Sequence, residues 1–227
     1  MKKLLTLILC LGVIVTTQAQ LEVGLKAGVN IANQSSDIDE FETNSATGLY
    51  LGLPVRIHIN DNLVVQPELA FMQKGSTQSY EVSVPGFYES SGDLKGTLNY
   101  LEIPIMVQYL LGDGDIRPYV QAGPSIGIGL GTKSSGEITE TTIDFITGDE
   151  TTETTDIDES GSFEDAGLSG IDFGVGIGAG AIMEAGPGNL SLNLLYNLGF
   201  ANIIDEGDAK LNNRGLGINV GFSIPIQ

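Results

Sequence analysis

The chain has 227 residues and a formal net charge of −19 at pH 7, with 31 glycines, one cysteine and no tryptophan. This acidic balance argues against nucleic acid as a partner, because phosphates would be repelled. The length fits one or two domains. The abundance of glycine, together with apolar residues at every second position, predicts an all-β protein.

The first segment, 1–19, has the features of a cleaved signal peptide. Lys2 and Lys3 precede an apolar run from Leu4 to Val15, which is too short for a comfortable membrane span. A small-x-small site at 17–19 predicts a mature chain that begins at Gln20 and is exported. Cys10 lies in this segment, so we expect no disulfides in the mature domain, 20–227.

Eight segments of the mature chain alternate between an apolar face and a mixed, glycine-rich face, which is the pattern of a β-strand. In chain order the predicted strands are 21–31, 46–60, 63–74, 99–109, 117–130, 171–184, 190–200 and 216–226. Short turns rich in Gly, Asp and Asn separate strands two and three, four and five, and six and seven. Longer polar segments, read here as loops, occupy 34–45, 75–97, 133–169 and 202–213.

An even number of strands, with short turns at one end and long loops at the other, is typical of transmembrane β-barrels. The alternative is a soluble sandwich or a lipocalin-like barrel, which also alternates. A soluble fold would place the mixed face in water, but that face is mostly small residues and glycine. The pattern therefore predicts an eight-stranded antiparallel transmembrane β-barrel with short periplasmic turns, long acidic extracellular loops and a location in the outer membrane.

The acidic residues concentrate in the predicted loops. The segment 133–169 alone carries eleven carboxylates and one lysine, Lys133. One interpretation is a solvated, repulsive surface. The other is loose binding of divalent cations by Asp156, Asp158 and Glu159, since Asp156-x-Asp158-x-Ser160-Gly161 resembles half of a calcium loop. Gly167 stands where a twelfth-position carboxylate is required, so an EF-hand is excluded, and no dedicated metal site is predicted.

Two patterns that could indicate catalysis or cofactor binding are better explained by the barrel. His58 is the one histidine and lies beside a short turn, away from the long loops where a surface enzyme would place its site. Gly174-x-Gly176-x-x-Ala179 spells a dinucleotide fingerprint, but the period of two continues through it and no helix follows. We predict no enzymatic activity and no cofactor.

Charged residues on the mixed face predict a network inside the barrel. Its members are Glu22, Lys26, Arg56, Glu68, Glu102 and Asp172. Around the short turn at Asp61, Arg56 should face Gln66 on the next strand, with Glu68 one diagonal step away on the same face. The network could fill a narrow barrel with ion pairs, or it could line a constriction that passes small ions. The glycines of strands five and six could leave space for ions, or they could make room for Tyr100 and Tyr119.

Several short motifs resemble those of the PorT-like outer-membrane β-barrel family of Bacteroidetes. They are Tyr100-Leu101-Glu102-Ile103-Pro104, Arg117-Pro118-Tyr119, Ala122-Gly123-Pro124-Ser125, Asp172-Phe173-Gly174, Gln66-Pro67-Glu68-Leu69 and Arg214-Gly215-Leu216. The resemblance implies eight strands, an outer-membrane location, a periplasmic N-terminus and, through PorT itself, a link to type IX secretion. Gln227 departs from the aromatic C-terminus of many outer-membrane barrels, and Phe222 could serve in its place.

These observations favour a structural or interaction role for a narrow, plugged barrel that presents acidic loops. A narrow porin-like channel for small ions or solutes is the main alternative, and an accessory role in type IX secretion is another. The expected partners are outer-membrane lipid and lipopolysaccharide, envelope proteins and loosely bound divalent cations.

Overall fold

In a computed structural model, which describes residues 20–36, 43–205 and 209–226, the chain is built from antiparallel strands. The strands are β1 (Leu21–Ser36), β2 (Asn44–His58), β3 (Leu63–Val84), β4 (Tyr88–Leu110), β5 (Ile116–Ile143), β6 (Glu150–Gly161), β7 (Ile171–Ala185), β8 (Gly188–Gly199) and β9 (Leu211–Ile226). The predicted signal peptide lies outside the described residues. No helix in the described part is long and apolar enough to cross a membrane.

Eight of the strands form a closed ring, because β1 pairs with β9 from Leu21↔Ile226 to Ser36↔Leu211. The ring order is β1-β2-β3-β4-β5-β7-β8-β9. β6 lies outside this ring and pairs only with the second half of β5. Closure leaves the ring without a free strand edge, which a surface in contact with lipid requires.

The ring is apolar outside and polar inside, the reverse of a soluble protein. Leu25, Leu53 and Val120 point outward with 50–60% of their surface exposed. Inward residues such as Tyr100 and Gln108 are at most 1% exposed. This inversion follows from the alternation of the sequence and matches the apolar outer band and polar interior of membrane barrels.

The two ends of the ring differ. We call the end with the short connections 59–62, 111–115 and 186–187 the turn end, and the opposite end the loop end. Gln20 and Ile226, at the two limits of the described chain, also lie at the turn end. Gly112 and Gly186 take positive φ angles of 70° and 62° in these turns, a conformation that glycine adopts without strain.

The prediction that 75–97 and 133–169 are loops was wrong. β3 continues beyond the ring as far as Val84 and β4 begins at Tyr88, so these two strands form one long hairpin. β5 and β6 form a second long hairpin. The four strands β3-β4-β5-β6 make one sheet that projects from the loop end, and we call it the projecting sheet. Water bathes most of its surface, so its threonines and carboxylates do not alternate with apolar residues, and the period-of-two signal is lost although β-branched Thr favours strands.

Candidate functional site

The lumen is filled by side chains arranged in clusters along the barrel. Near the turn end, Glu22 is the centre of the first cluster. Its Oε2 accepts hydrogen bonds from Arg56 Nη1 at 2.8 Å and Ser223 Oγ at 2.6 Å. Its Oε1 lies 2.7 Å from His58 Nε2 and accepts a bond from Asn189 Nδ2 at 3.1 Å. The carboxylate is therefore buried with a full set of partners, as a buried charge requires.

Glu68 organises a second cluster further along the lumen. Lys26 Nζ lies 2.6 Å from its Oε2, which also accepts a hydrogen bond from Gln66 Nε2 at 3.1 Å. Tyr50 donates its hydroxyl to Oε1 at 2.5 Å. Lys26, on β1, thereby reaches across to β3, so the ion pair links two strands that are not neighbours in the ring.

A chain of amides continues from this cluster to the far wall. Gln108 Nε2 donates to Gln66 Oε1 at 3.0 Å and to Gln121 Oε1 at 3.1 Å. Gln121 Nε2 then donates to Asn193 Oδ1 at 2.9 Å. These side chains are at most 3% exposed and connect β3, β4, β5 and β8 through the interior.

The third cluster, nearest the loop end, is centred on Lys74. Its Nζ lies 2.5 Å from Glu102 Oε1 and 2.9 Å from Asp172 Oδ2, and 4.8 Å from the centre of the Tyr100 ring. Asn213 Nδ2 also donates to Asp172 Oδ2 at 2.9 Å. The ammonium group of Lys74 thus pairs with two buried carboxylates and also lies against the face of the Tyr100 ring.

The observed register of β2 and β3, with Ile57 opposite Val65 and Pro54 opposite Glu68, sets Arg56 against Gln66 as predicted. The individual ion pairs were not predicted. Arg56 pairs with Glu22, its cross-strand neighbour on β1, and Lys26 pairs with Glu68. Glu102 and Asp172 come together through Lys74, which sequence reasoning left out although it shares the inward face of β3 with Gln66 and Glu68.

Inward glycines make room for this filling. A Cβ atom at Gly127 would lie 2.5 Å from Glu102 Oε1 and 3.1 Å from the Tyr100 ring, and one at Gly180 would lie 2.4 Å from the Tyr119 ring. Both distances under 3 Å are closer than side chains tolerate. These two glycines therefore make room for the side chains of Glu102, Tyr100 and Tyr119.

Residues 162–170, between β6 and β7, and 200–205, after β8, lie at the loop end of the lumen, and we call them the cap. Phe163, Ile203, Leu98, Tyr100 and Leu211 form one buried apolar cluster there. The rings of Phe163 and Tyr100 meet edge to face at 5.0 Å, and Ser169 N donates to Ile203 O at 2.8 Å. The cap was not predicted from the sequence, where its signal is a single aromatic residue, Phe163, in a polar stretch.

At the turn end, an open cleft of about 740 Å³ leads toward Glu22, Arg56 and His58. Beneath it, Val64, Leu110, Tyr119 and Ile182 form a second buried apolar cluster. His58, predicted to be a rim or lumen residue, lies at the cleft with its side chain 20% exposed.

The three residues considered for loose cation binding, Asp156, Asp158 and Glu159, lie on β6. Since neighbouring residues of a strand point to opposite faces, Glu159 points away from the other two. Lys133 Nζ lies 2.8 Å from Asp158 Oδ1. Within the described part of the chain, no group of three or more His, Cys, Asp or Glu residues could hold a metal ion.

The closed ring, its apolar outer belt and its polar filling define an outer-membrane β-barrel. A family model described as outer membrane protein beta-barrel domain matches residues 17–205, and the chain belongs to that family. The family places it in the outer membrane.

Several solved structures are similar to the chain at low sequence identity and over most of its length. Neisserial surface protein A is 15% identical, with 92% of this chain and all of that chain covered and a TM-score of 0.48. Ail, the attachment invasion locus protein of Yersinia pestis, is 13% identical, with 88% and 98% covered and a TM-score of 0.35. Outer Membrane Protein W of E. coli is 16% identical, with 91% and 99% covered and a TM-score of 0.37. No curated protein matches the chain.

Proposed function

We propose that the protein is a closed barrel whose role is structural or interactive, and that it displays the acidic projecting sheet on the outside of the cell. The observation that carries this proposal is the filled lumen. Three ion-paired clusters, an amide chain and an apolar cap occupy the space that a pore would need. An eight-stranded barrel is only wide enough for side chains to fill its interior.

The finer parts of the proposal concern orientation and partners. The turn end, which holds the start of the mature domain, faces the periplasm, and the projecting sheet faces outward among lipopolysaccharide and envelope proteins. Asp156 and Asp158 on one face of β6, and Glu159 on the other, would then attract divalent cations loosely without forming one site. The PorT-like resemblance includes Glu102, which here joins the Lys74 cluster. The resemblance supports a place within the PorT-like family, and an accessory role in type IX secretion would follow from that placement.

Cysteine labelling on intact cells tests the orientation. The sequence has one cysteine, Cys10, within the predicted signal peptide, so the wild-type protein supplies the background. Thr152→Cys on β6 should react with a membrane-impermeant maleimide on intact cells. Asp113→Cys at the turn end is the matched control and should react only after lysis. Labelling of Asp113→Cys but not Thr152→Cys on intact cells would overturn the outward display of the sheet.

A further inference from the structure

The projecting sheet has two edges among the described residues. One is the end of β3 at 78–84, which pairs only with β4, and the longer one is β6, the last strand in the sheet order. Its twelve residues pair without a shift along β5, from Thr132↔Gly161 to Ile143↔Glu150. Among residues 20–36, 43–205 and 209–226, no strand pairs with its other side. Eleven of the twelve residues are exposed. A regular ladder on one side implies an equally regular row of backbone donors and acceptors on the other.

Apart from its acidic residues, β6 has none of the sequence features that usually protect an edge strand. Its sequence contains no proline and no lysine, and its only glycine is the last residue. Four threonines and Ile157 give it high β-propensity. Its protection is negative charge alone, from Glu150, Glu153, Asp156, Asp158 and Glu159. Such an edge repels a second copy of itself and stays open to a strand of opposite charge.

The charges across the sheet also indicate a cationic partner. Asp93, Glu137 and Asp156 lie directly opposite one another on β4, β5 and β6. Glu140 faces Glu153 in the same way. Like charges in facing positions are destabilising. The one ion pair described within the β5–β6 hairpin joins Lys133 to Asp158. It therefore offsets none of the carboxylates in these two rows.

We propose that β6 binds an extended, lysine- or arginine-rich segment of a partner protein as an added antiparallel or parallel strand. This inference rests on the interaction role proposed above. The backbone of β6 would give the ladder hydrogen bonds, and cations opposite Glu153 and Asp156 would relieve the two carboxylate rows. A second copy of this chain is the disfavoured occupant, because each β6 strand brings five carboxylates and neither brings a lysine or arginine to offset them.

The test uses the full mature domain in nanodiscs of zwitterionic phosphatidylcholine, with empty nanodiscs as the blank. The probe is a synthetic twelve-residue peptide of repeated Lys-Thr-Thr, which puts lysines on both faces of an added strand at the three-residue spacing of Glu150, Glu153, Asp156 and Glu159. Three comparison peptides are used. The first is the same sequence with every second amide N-methylated, which blocks one strand edge. The other two have glutamate in place of lysine, one with that methylation and one without it. Affinity is measured by calorimetry, and hydrogen exchange locates the site.

We expect the lysine peptide to bind and to protect alternate amides of β6, those that point away from β5. N-methylation and the glutamate sequence should each abolish binding. The double variant Glu153→Gln/Asp156→Asn should lower affinity about tenfold, as two facing charge pairs are lost. Glu81→Gln/Glu89→Gln, the same change on exposed positions of β3 and β4, should lower it less than about threefold.

Four results would overturn the inference: no binding, equal binding of the N-methylated peptide, protection elsewhere on the domain, or self-association through β6 in analytical ultracentrifugation. The fate of the proposed function is read separately. If Thr152→Cys is labelled from outside while the peptide does not bind, outward display stands and the strand-addition site fails. If Thr152→Cys is labelled only after lysis, the proposed function fails whatever the peptide does.

Discussion

At the residue scale, the interior depends on a few charged side chains that are at most 10% exposed. Lys74 is the most exacting of them, since two carboxylates of about 2% exposure rely on one ammonium group. Removing one member of such a group leaves the others buried and uncompensated, and the loss of a partner costs more than the pair contributes.

Lys74→Met should therefore destabilise the barrel by about 3–5 kcal/mol. Lys133→Met is the matched control, because Lys133 also forms an ion pair but is 46% exposed, with a partner that is 72% exposed. Exposed pairs contribute about 0–1 kcal/mol. Equilibrium unfolding of both variants in urea, in the same detergent, measures the two losses of stability. Equal losses would show that water reaches the Lys74 cluster and screens its charges.

Combining Lys74→Met with Glu102→Gln and Asp172→Asn should recover most of the stability that Lys74→Met loses. No charge is then left uncompensated in the cluster. The same unfolding assay measures the recovery. A triple variant less stable than Lys74→Met would argue that the carboxylates are held mainly by their other partners.

Asp165, in the connection that carries Phe163, offers a pH-dependent test outside the membrane. Hydrogen bonds from the Ser162 side chain and backbone hold the pKa of its carboxyl below the ordinary value of 3.8. A lowered pKa means that the charged form favours this turn. The contribution is fully present above the unfolded pKa and is lost as the pH falls through the folded pKa.

Ser162→Ala should raise the pKa of Asp165 toward its ordinary value, because the hydroxyl bond at 2.6 Å is removed. Carboxyl carbon shifts of Asp165, followed by NMR from pH 6 downward to about pH 2, a range that spans the ordinary Asp pKa, measure the change. Asp144 is the control. Its pKa is lowered by backbone bonds from Thr147 and Ile146, and it should titrate as in the wild type.

At the element scale, the cap and the projecting sheet show what sequence patterns do and do not carry. The ring strands were predictable because a lipid belt and a filled lumen impose opposite demands on alternating positions. The inward direction of the six network residues follows from that alternation. Their actual partners depend on side-chain reach across the lumen, as in Lys26–Glu68, and a period of two cannot encode that reach.

The projecting sheet escaped prediction because strand pairing in water needs no apolar face. The cap escaped because Phe163 and Ile203 are brought together from connections 40 residues apart in the chain. Such contacts leave no local pattern. The Gly129–Phe163 contact shows how closely the cap fits the ring.

Gly129→Ala should loosen the cap, because its Cβ would lie 2.6 Å from the Phe163 ring. Overpacking of this kind costs about 1–3 kcal/mol, so amide exchange at Leu168 and Ser169 should rise at least about fivefold. Gly170→Ala is the control, since its Cβ would lie 3.9 Å from the same side chain. Hydrogen exchange by mass spectrometry reports both, and similar exchange in the two variants would contradict the packing of the cap on Gly129.

Shortening the projecting sheet should leave the ring folded. Replacement of residues 137–156 by an Asn-Gly turn joins Gly136 to Ile157, which already face each other on β5 and β6. The removed residues pair with one another and with the projecting part of β4, and they contact Phe87 in the turn before β4. The apparent melting temperature should change by less than about 4 °C. Loss of the folded, heat-modifiable band on gels would show that the hairpin is needed for assembly.

At the scale of the whole molecule, the acidic charge and the closed interior belong to different parts of one chain. The lumen is close to neutral, because its four carboxylates, Glu22, Glu68, Glu102 and Asp172, lie beside three cations, Lys26, Arg56 and Lys74. Most of the net charge of −19 therefore lies on the connections and the projecting sheet. A barrel built as a pore would carry its charge where ions pass, whereas here the charge is displayed outside the ring.

Conductance of the refolded mature protein across a planar lipid bilayer tests the central claim, a closed lumen, most directly. A silent bilayer is expected from folded protein, shown by its heat-modifiable band. The Lys74→Met/Glu102→Gln/Asp172→Asn variant should also be silent, because the Glu22 and Glu68 clusters remain. Steady, salt-dependent current steps from the wild-type protein would contradict this account and establish an open path along the lumen.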